Sequence, residues 1–194
     1  MIRLSCCLAL VILLAACNSE EKRAKEEPLL AAETFHWSEQ ALTFQPPPVE
    51  WRRGKYNQGG LLGVDFVHQK SVGERIYVAE YSKVGRRSKL EGQTRQYRLE
   101  DLLDEVRFST VGWPVPPDSF EVSDAIPDTL AAGIPAYHLD FILHAPERTL
   151  IGREYYFMKK NHLFEAFYLG LPVNIALFER VVDTISFPDE EQRP

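Results

Sequence analysis

The sequence predicts an α+β domain, an α/β/α sandwich around a central, mainly antiparallel sheet. Two runs, Leu61–Gln69 and Ile134–His144, alternate with period two, as half-buried strands do. Between them Leu99, Leu102, Leu103 and Val106 recur at i, i+3, i+4 and i+7, one face of a helix. A third run, His162–Leu169, is apolar on both faces apart from Glu165, so it is expected to be covered on both sides. Strands interrupted by two helices then pack as layers.

The globular domain is expected over residues 34–188. Leu42-Thr43-Phe44 reads as a first strand, stopped by Pro46-Pro47-Pro48, and Trp51 follows in a segment too polar to assign. In Leu61–Gln69, the side chains of Leu62, Val64 and Phe66 face one way and those of Asp65, Val67 and Gln69 the other. Ser71-Val72-Gly73 turns the chain, and Glu74–Ser82, rich in Tyr and Val, completes a hairpin. Lys83–Gln96 is a basic, polar loop before the helix over Arg98–Phe108, which Gly112-Trp113-Pro114-Val115-Pro116-Pro117 ends. Phe120–Ile126 is a candidate strand. Ile134–His144 follows, with Tyr137, Leu139, Phe141 and Leu143 on its apolar face and a turn at Ala145-Pro146-Glu147. Ile151–Lys159 and His162–Leu169 make a second hairpin around Lys160-Asn161. Pro172 opens the last helix, where proline suits the first turn, and Val173, Leu177, Val181 and Ile185 form its stripe. Phe187-Pro188 ends it, and residues 189–194 are a polar tail.

Residues 1–16 read as a secretory signal peptide: Arg3, an apolar run from Leu8 to Leu14, then Ala15-Ala16. The apolar run is too short to span a bilayer, which takes about 18–20 residues. Cys17 directly after the small residues completes a lipobox. Its thiol would carry a diacylglyceryl group and its new amine a further acyl chain. Each buried CH₂ contributes about 0.8 kcal/mol, and two or more chains give stable anchoring. Asn18 at the next position favours the outer membrane, facing the periplasm. Residues 17–33 then form a lipidated tether, because Asn18–Pro28 is charged and lacks large apolar residues.

Composition narrows the function. The three cysteines are Cys6, Cys7 and Cys17, so the mature chain would have neither a free thiol nor a disulfide. Zinc-thiolate sites, Fe–S clusters and cysteine nucleophiles are thereby excluded. The net charge of -6 leaves no basic footprint for nucleic acid. Gly59-Gly60-Leu61-Leu62-Gly63 lacks the lysine and spacing of a phosphate loop, and there is no Gly-x-Ser-x-Gly elbow. No cofactor is implied.

Phe44, Pro48 and Trp51 open a succession of hairpin, helix, three long strands and terminal helix that resembles the PsbP-like superfamily. That group includes the PsbP proteins of photosystem II, bacterial DcrB and the LpqN lipoproteins. The best match runs from Tyr155-Tyr156-Phe157 through the last helix to Ser186-Phe187. The resemblance implies the sandwich described above. It also implies assembly factors, adaptors or binding modules with no shared catalytic site. Fold likeness by itself is a poor warrant for function.

Three clusters could carry chemistry. An even loop at Lys160-Asn161 places Met158 beside Leu163 and Tyr156 beside Glu165, so Glu154 and Glu165 lie diagonally on one face. Close carboxylates raise one another's pKa and can do acid–base work; the alternative is a polar patch that a helix leaves uncovered. His138, Asp140 and His144 share a face, but at i, i+2 and i+6 only the first two could meet one metal ion, a weak half-site. Lys83, Arg86, Arg87 and Lys89 form one basic cluster and Arg52, Arg53 and Lys55 another; with Trp113 between its prolines they are candidate partner contacts.

The reading that joins these features is a membrane-anchored envelope lipoprotein. It is held by the lipid on Cys17 and acts as a non-enzymatic binding or accessory module for a protein partner. The alternatives are a carrier or sensor of a small apolar ligand, and a hydrolase using Glu154 and Glu165.

Overall fold

The computed structural model describes residues 29–39, 41–81, 99, 119–145, 147–159 and 162–188. Its strands are β1 (Phe35–Trp37), β2 (Leu42–Phe44), β3 (Trp51–Gln58), β4 (Leu61–His68), β5 (Arg75–Tyr81), β6 (Phe120–Val122), β7 (Ile126–Thr129), β8 (Pro135–Ala145), β9 (Arg148–Lys159) and β10 (His162–Gly170). A 3-10 turn over Pro172–Asn174 leads into the helix α1 (Ile175–Asp183). β1 and β2 pair with each other, and the other eight strands form one sheet ordered β3-β4-β5-β10-β9-β8-β6, with β7 also on β8. Every pairing is antiparallel, so the class is α+β as predicted.

β10 sits at the centre, and from Leu163 to Gly170 every residue is buried, as its two-sided apolar pattern predicts. One face of the sheet carries Phe66, Ile76, Val78, Phe157, Phe164 and Tyr168. Against it pack Leu42 and Phe44 of β2 and Leu177, Phe178, Val181 and Val182 of α1. Burying such side chains stabilises the fold by about 1.5–3 kcal/mol each. The end of α1 is tied down by Thr43, which exchanges main-chain bonds with Ser186 at 2.9 Å each way. Gln45 N–H donates to Thr184 Oγ1 at 2.8 Å beside it. The opposite face carries Tyr77, Phe141, Tyr156, Leu163 and Phe167. Of the helix expected over Arg98–Phe108 only Leu99 is described; it is helical and buried against this second face.

Four details differ from the sequence reading. β3 is a strand where polarity gave no assignment: it is the sheet edge, and its residues Arg52 to Lys55 are exposed. Charged side chains are how edge strands avoid pairing with other chains. β1 went unassigned because it is three residues long and pairs with β2 alone. The candidate strand Phe120–Ile126 splits in two. Ser123 engages the Asp140 main chain through both its N–H, which donates, and its hydroxyl, which accepts, and pairing resumes at Ile126 opposite His138. Val173 leaves the helical stripe because the 3-10 turn has a tighter period; it is exposed, and the buried stripe is Leu177, Phe178, Val181 and Val182.

Glycine matters at two places. Gly59 and Gly60 have φ of 64° and 91° and close the β3–β4 hairpin, the positive pair that a two-residue turn needs. Gly152 lies opposite Phe141 across β9 and β8, and a Cβ there would meet the Phe141 ring at 1.9 Å.

Glu74 is completely buried at the start of β5. Leu171 N–H donates to its Oε1 at 2.8 Å and Asn174 Nδ2 to its Oε2 at 2.9 Å. This carboxylate therefore fastens the β4–β5 turn to the β10–α1 junction. Replacing it with alanine orphans two donors, at about 1–3 kcal/mol for each group left unsatisfied. In urea denaturation Glu74→Ala should lose about 3 kcal/mol of stability and Glu74→Gln clearly less, because its amide oxygen keeps one acceptor.

Candidate functional site

The β9–β10 hairpin has the register read from its even loop: Met158 opposes Leu163, Tyr156 opposes Glu165, and Glu154 opposes Phe167. Glu154 and Glu165 therefore project from the same face. β5 completes the site from the other side of β10, with Tyr77 opposite Phe167 and Ala79 opposite Glu165. The small Ala79 leaves room above Glu165 for two hydroxyls to converge. The Tyr77 hydroxyl donates to Glu165 Oε1, and the Tyr81 hydroxyl donates to Oε2 at 2.5 Å. The Tyr156 hydroxyl donates to Glu154 Oε2 at 2.5 Å.

The cluster is walled by aromatic rings. Tyr56 stacks on Tyr77 at 4.2 Å, Tyr77 on Phe167 at 4.6 Å, and Phe167 on Phe141 at 5.6 Å. Such offset stacks add about 0.5–1.5 kcal/mol each beyond area burial. They run from the β3 edge across to β8, passing over Gly63 and Gly152 where no side chain intervenes. Both carboxyls are buried, Glu154 at 4% exposure and Glu165 at 2%, so the cluster is an interior network and not an uncovered polar patch.

Burial sets the protonation. It raises the Glu154 carboxyl well above the ordinary range, the Glu165 charge raises it further, and the Tyr156 hydroxyl opposes both. Burial raises Glu165 as well, but two tyrosine hydroxyls stabilise its charged form. Glu165 is therefore the better place for the single negative charge, and Glu154 the better place for the shared proton. Burial, then the Glu165 charge, also raises Tyr77, Tyr81 and Tyr156, which keeps all three as donors. The arrangement can hold and pass one proton along hydroxyls and carboxyls. It has no free carboxylate oxygen on Glu165 for a second ligand.

The other predicted clusters are resolved differently. His138 Nδ1 lies 2.9 Å from Asp128 Oδ2, and His144 Nε2 lies 2.7 Å from Glu121 Oε1. Arg153 donates to both oxygens of Asp140, at 2.6 and 3.0 Å, and to Glu179 at 2.6 Å. The structure thus gives His138 and Asp140 separate partners instead of one ion, and among the described residues no three His, Cys, Asp or Glu side chains gather as metal ligands. Arg52, Arg53 and Lys55 are exposed on the β3 edge, with the Arg53 guanidinium 5.8 Å from the Phe35 ring centroid. Cys17, Arg86, Arg87 and Trp113 lie outside the described residues.

Sequence reasoning found both carboxylates and Tyr156 but not Tyr77, Tyr81 or Ala79. Their contacts are 84 to 88 residues away in the chain for the two tyrosines, beyond any local pattern. The available signal was Tyr77 and Tyr81, four apart on one strand face, set against a lone Glu165 in an apolar strand.

The Glu154 carboxyl keeps its proton in the folded state above the unfolded value of 4.5. Its contribution is fully present below that pH and is lost as pH rises toward the folded pKa, by at most about 1.4 kcal/mol per pH unit. Glu154→Gln should flatten this decline in a series of urea melts from about pH 5 to about pH 9. A variant whose decline matches the parent chain would remove Glu154 as the proton holder.

No family model matches the chain, and no curated protein sequence matches it. Solved structures do resemble it. A Bacteroides thetaiotaomicron protein aligns with a TM-score of 0.50 and 10% identity over 84% of this chain and 50% of its own, so the chain spans half of that protein. The cyanobacterial PsbP of Synechocystis aligns with a TM-score of 0.48 and 13% identity, covering 80% of this chain and 92% of its own. LpqN of Mycobacterium tuberculosis, which is involved in cell envelope biogenesis, aligns with a TM-score of 0.45 and 14% identity, covering 79% and 90%. At identities this low the likeness is one of fold alone.

Proposed function

We propose that this chain is a lipid-anchored protein of the bacterial cell envelope whose domain binds or positions another envelope component without catalysing a reaction. The observation that carries the proposal is the run Leu14-Ala15-Ala16-Cys17 behind a charged start and an apolar stretch, followed by a charged spacer. No described helix is long and apolar enough to cross a membrane, so attachment in this reading falls to the lipid on Cys17. Asn18 then directs it to the outer membrane, facing the periplasm.

The geometry of the domain supports a binding role over chemistry. Both oxygens of Glu165 accept hydroxyls from its own chain, and Glu154 is buried beside it. A second reading is a carrier of a small apolar ligand held between the sheet and a helix, beside the aromatic residues Tyr56, Tyr77, Phe167 and Phe141. Mass spectrometry of gently purified protein would reveal such a passenger.

Labelled palmitate fed to cells making the full chain should be incorporated into the protein, which should sediment with membranes. Cys17→Ala should abolish the label and move most of the protein to the soluble fraction. A label that survives the substitution, or a variant that stays membrane-bound, refutes the anchor. Crosslinking in intact cells should then recover a specific envelope protein.

A further inference from the structure

Among the described residues four large apolar side chains stand out from the surface: Leu29, Val49, Val72 and Val173 are 82%, 84%, 81% and 77% exposed. The other exposed apolar residues, Leu62, Val122 and Ile126, lie along strands and reach only 40% to 46%. The first four share one end of the sheet, where β3 and β5 begin and β4 and β10 finish.

Hydrogen bonds join the segments that carry them. Gln69 donates from its N–H to Glu50 O at 2.9 Å and from Nε2 to Val49 O at 3.0 Å. Arg148 donates to Val72 O. Glu74, in the same turn as Val72, accepts from Leu171 and Asn174 on either side of Val173. Ala31 N–H donates to Pro46 O at 2.9 Å, which brings Leu29 in beside the Pro46–Val49 segment. The valine tips are thus held on linked loops whose shape is formed before anything binds.

The chain leading to Leu29 comes from Cys17. Asn18–Pro28 is eleven residues, which reach about 36–40 Å at full extension. The chain from Cys17 therefore enters the domain at the end of the sheet that carries the exposed valines.

We propose that this end of the sheet rests on the lipid bilayer, with Val49, Val72 and Val173 in the boundary between headgroups and acyl chains. The proposal rests on lipidation at Cys17. In the loops at this end Glu50 and Glu147 stand against Lys70 and Arg148, and Arg52 and Arg53 follow exposed on the β3 edge, so apolar burial is the principal contact.

The test uses the full lipidated chain in phosphatidylcholine vesicles. Cys17 is the sole cysteine after the signal peptide, so an added cysteine takes a polarity-sensitive nitrobenzoxadiazole label alone. Labels at Val49→Cys, Val72→Cys and Val173→Cys should brighten about threefold on vesicles and be quenched by acyl-chain quenchers. The label at Gln58→Cys, at the opposite end of β3, should stay as in water. If acyl chains are found on Cys17 but labels at 72 and 58 behave alike, the seating is wrong and the lipidation stands. If mass spectrometry finds Cys17 bare, the anchor fails and the seating falls with it.

Discussion

A carboxylate buried at the centre of a sheet is the constraint on which this structure turns. β10 is covered on both faces, and Glu165 is the one carboxylate in that covered stretch. An unpaired charge there would be prohibitive, so its oxygens must meet donors. Both donors come from β5, Tyr77 and Tyr81, while Tyr156 on β9 serves Glu154 on its own strand. A slip of one residue in the β5–β10 pairing would turn those two hydroxyls to the opposite face. Satisfying Glu165 therefore fixes the register of β5 against β10.

Glu74 plays the corresponding part at the end of the sheet. It binds one turn to another that lies 97 to 100 residues further along the chain. The helix α1 starts immediately beyond that bond, and its other end is held by Thr43 and Gln45. Both ends of the helix are thus set by polar contacts, while its stripe of Leu177, Phe178, Val181 and Val182 supplies the apolar burial. The same bond makes the β4–β5 turn and the 3-10 turn one surface, which is why their exposed valines can act together.

Much of the sheet was legible because burial writes itself into period and composition. β2, β4, β5, β8, β9 and β10 lie where alternation or apolar runs put them, and the even loop gave the β9–β10 register outright. What was lost had physical causes. β3 is an edge, so its charges hide the strand. Val173 follows a helical spacing in sequence but sits in a 3-10 turn. Of the site, the carboxylates were visible because they interrupt apolar strands, and Tyr156 because it neighbours them across a short loop. Tyr77, Tyr81 and the partners of Glu74 were not, because the pairing of β5 with β10 and the docking of α1 are long-range events that no window of sequence contains.

Replacing a buried polar network by apolar groups of similar volume is often neutral or even stabilising. The tyrosine–glutamate cluster is therefore not explained by net stability alone. Its energetic asymmetry lies elsewhere: a partly satisfied network is worse than either a complete one or none. With Glu154 holding the proton and Glu165 the charge, the oxygens of Glu165 accept hydroxyls only when β5 and β10 are correctly aligned. A misaligned β5–β10 pair strands a charge, a heavier penalty than the lost ring stacking alone. On this argument the cluster contributes specificity, selecting one alignment from several that apolar packing by itself would leave close in energy.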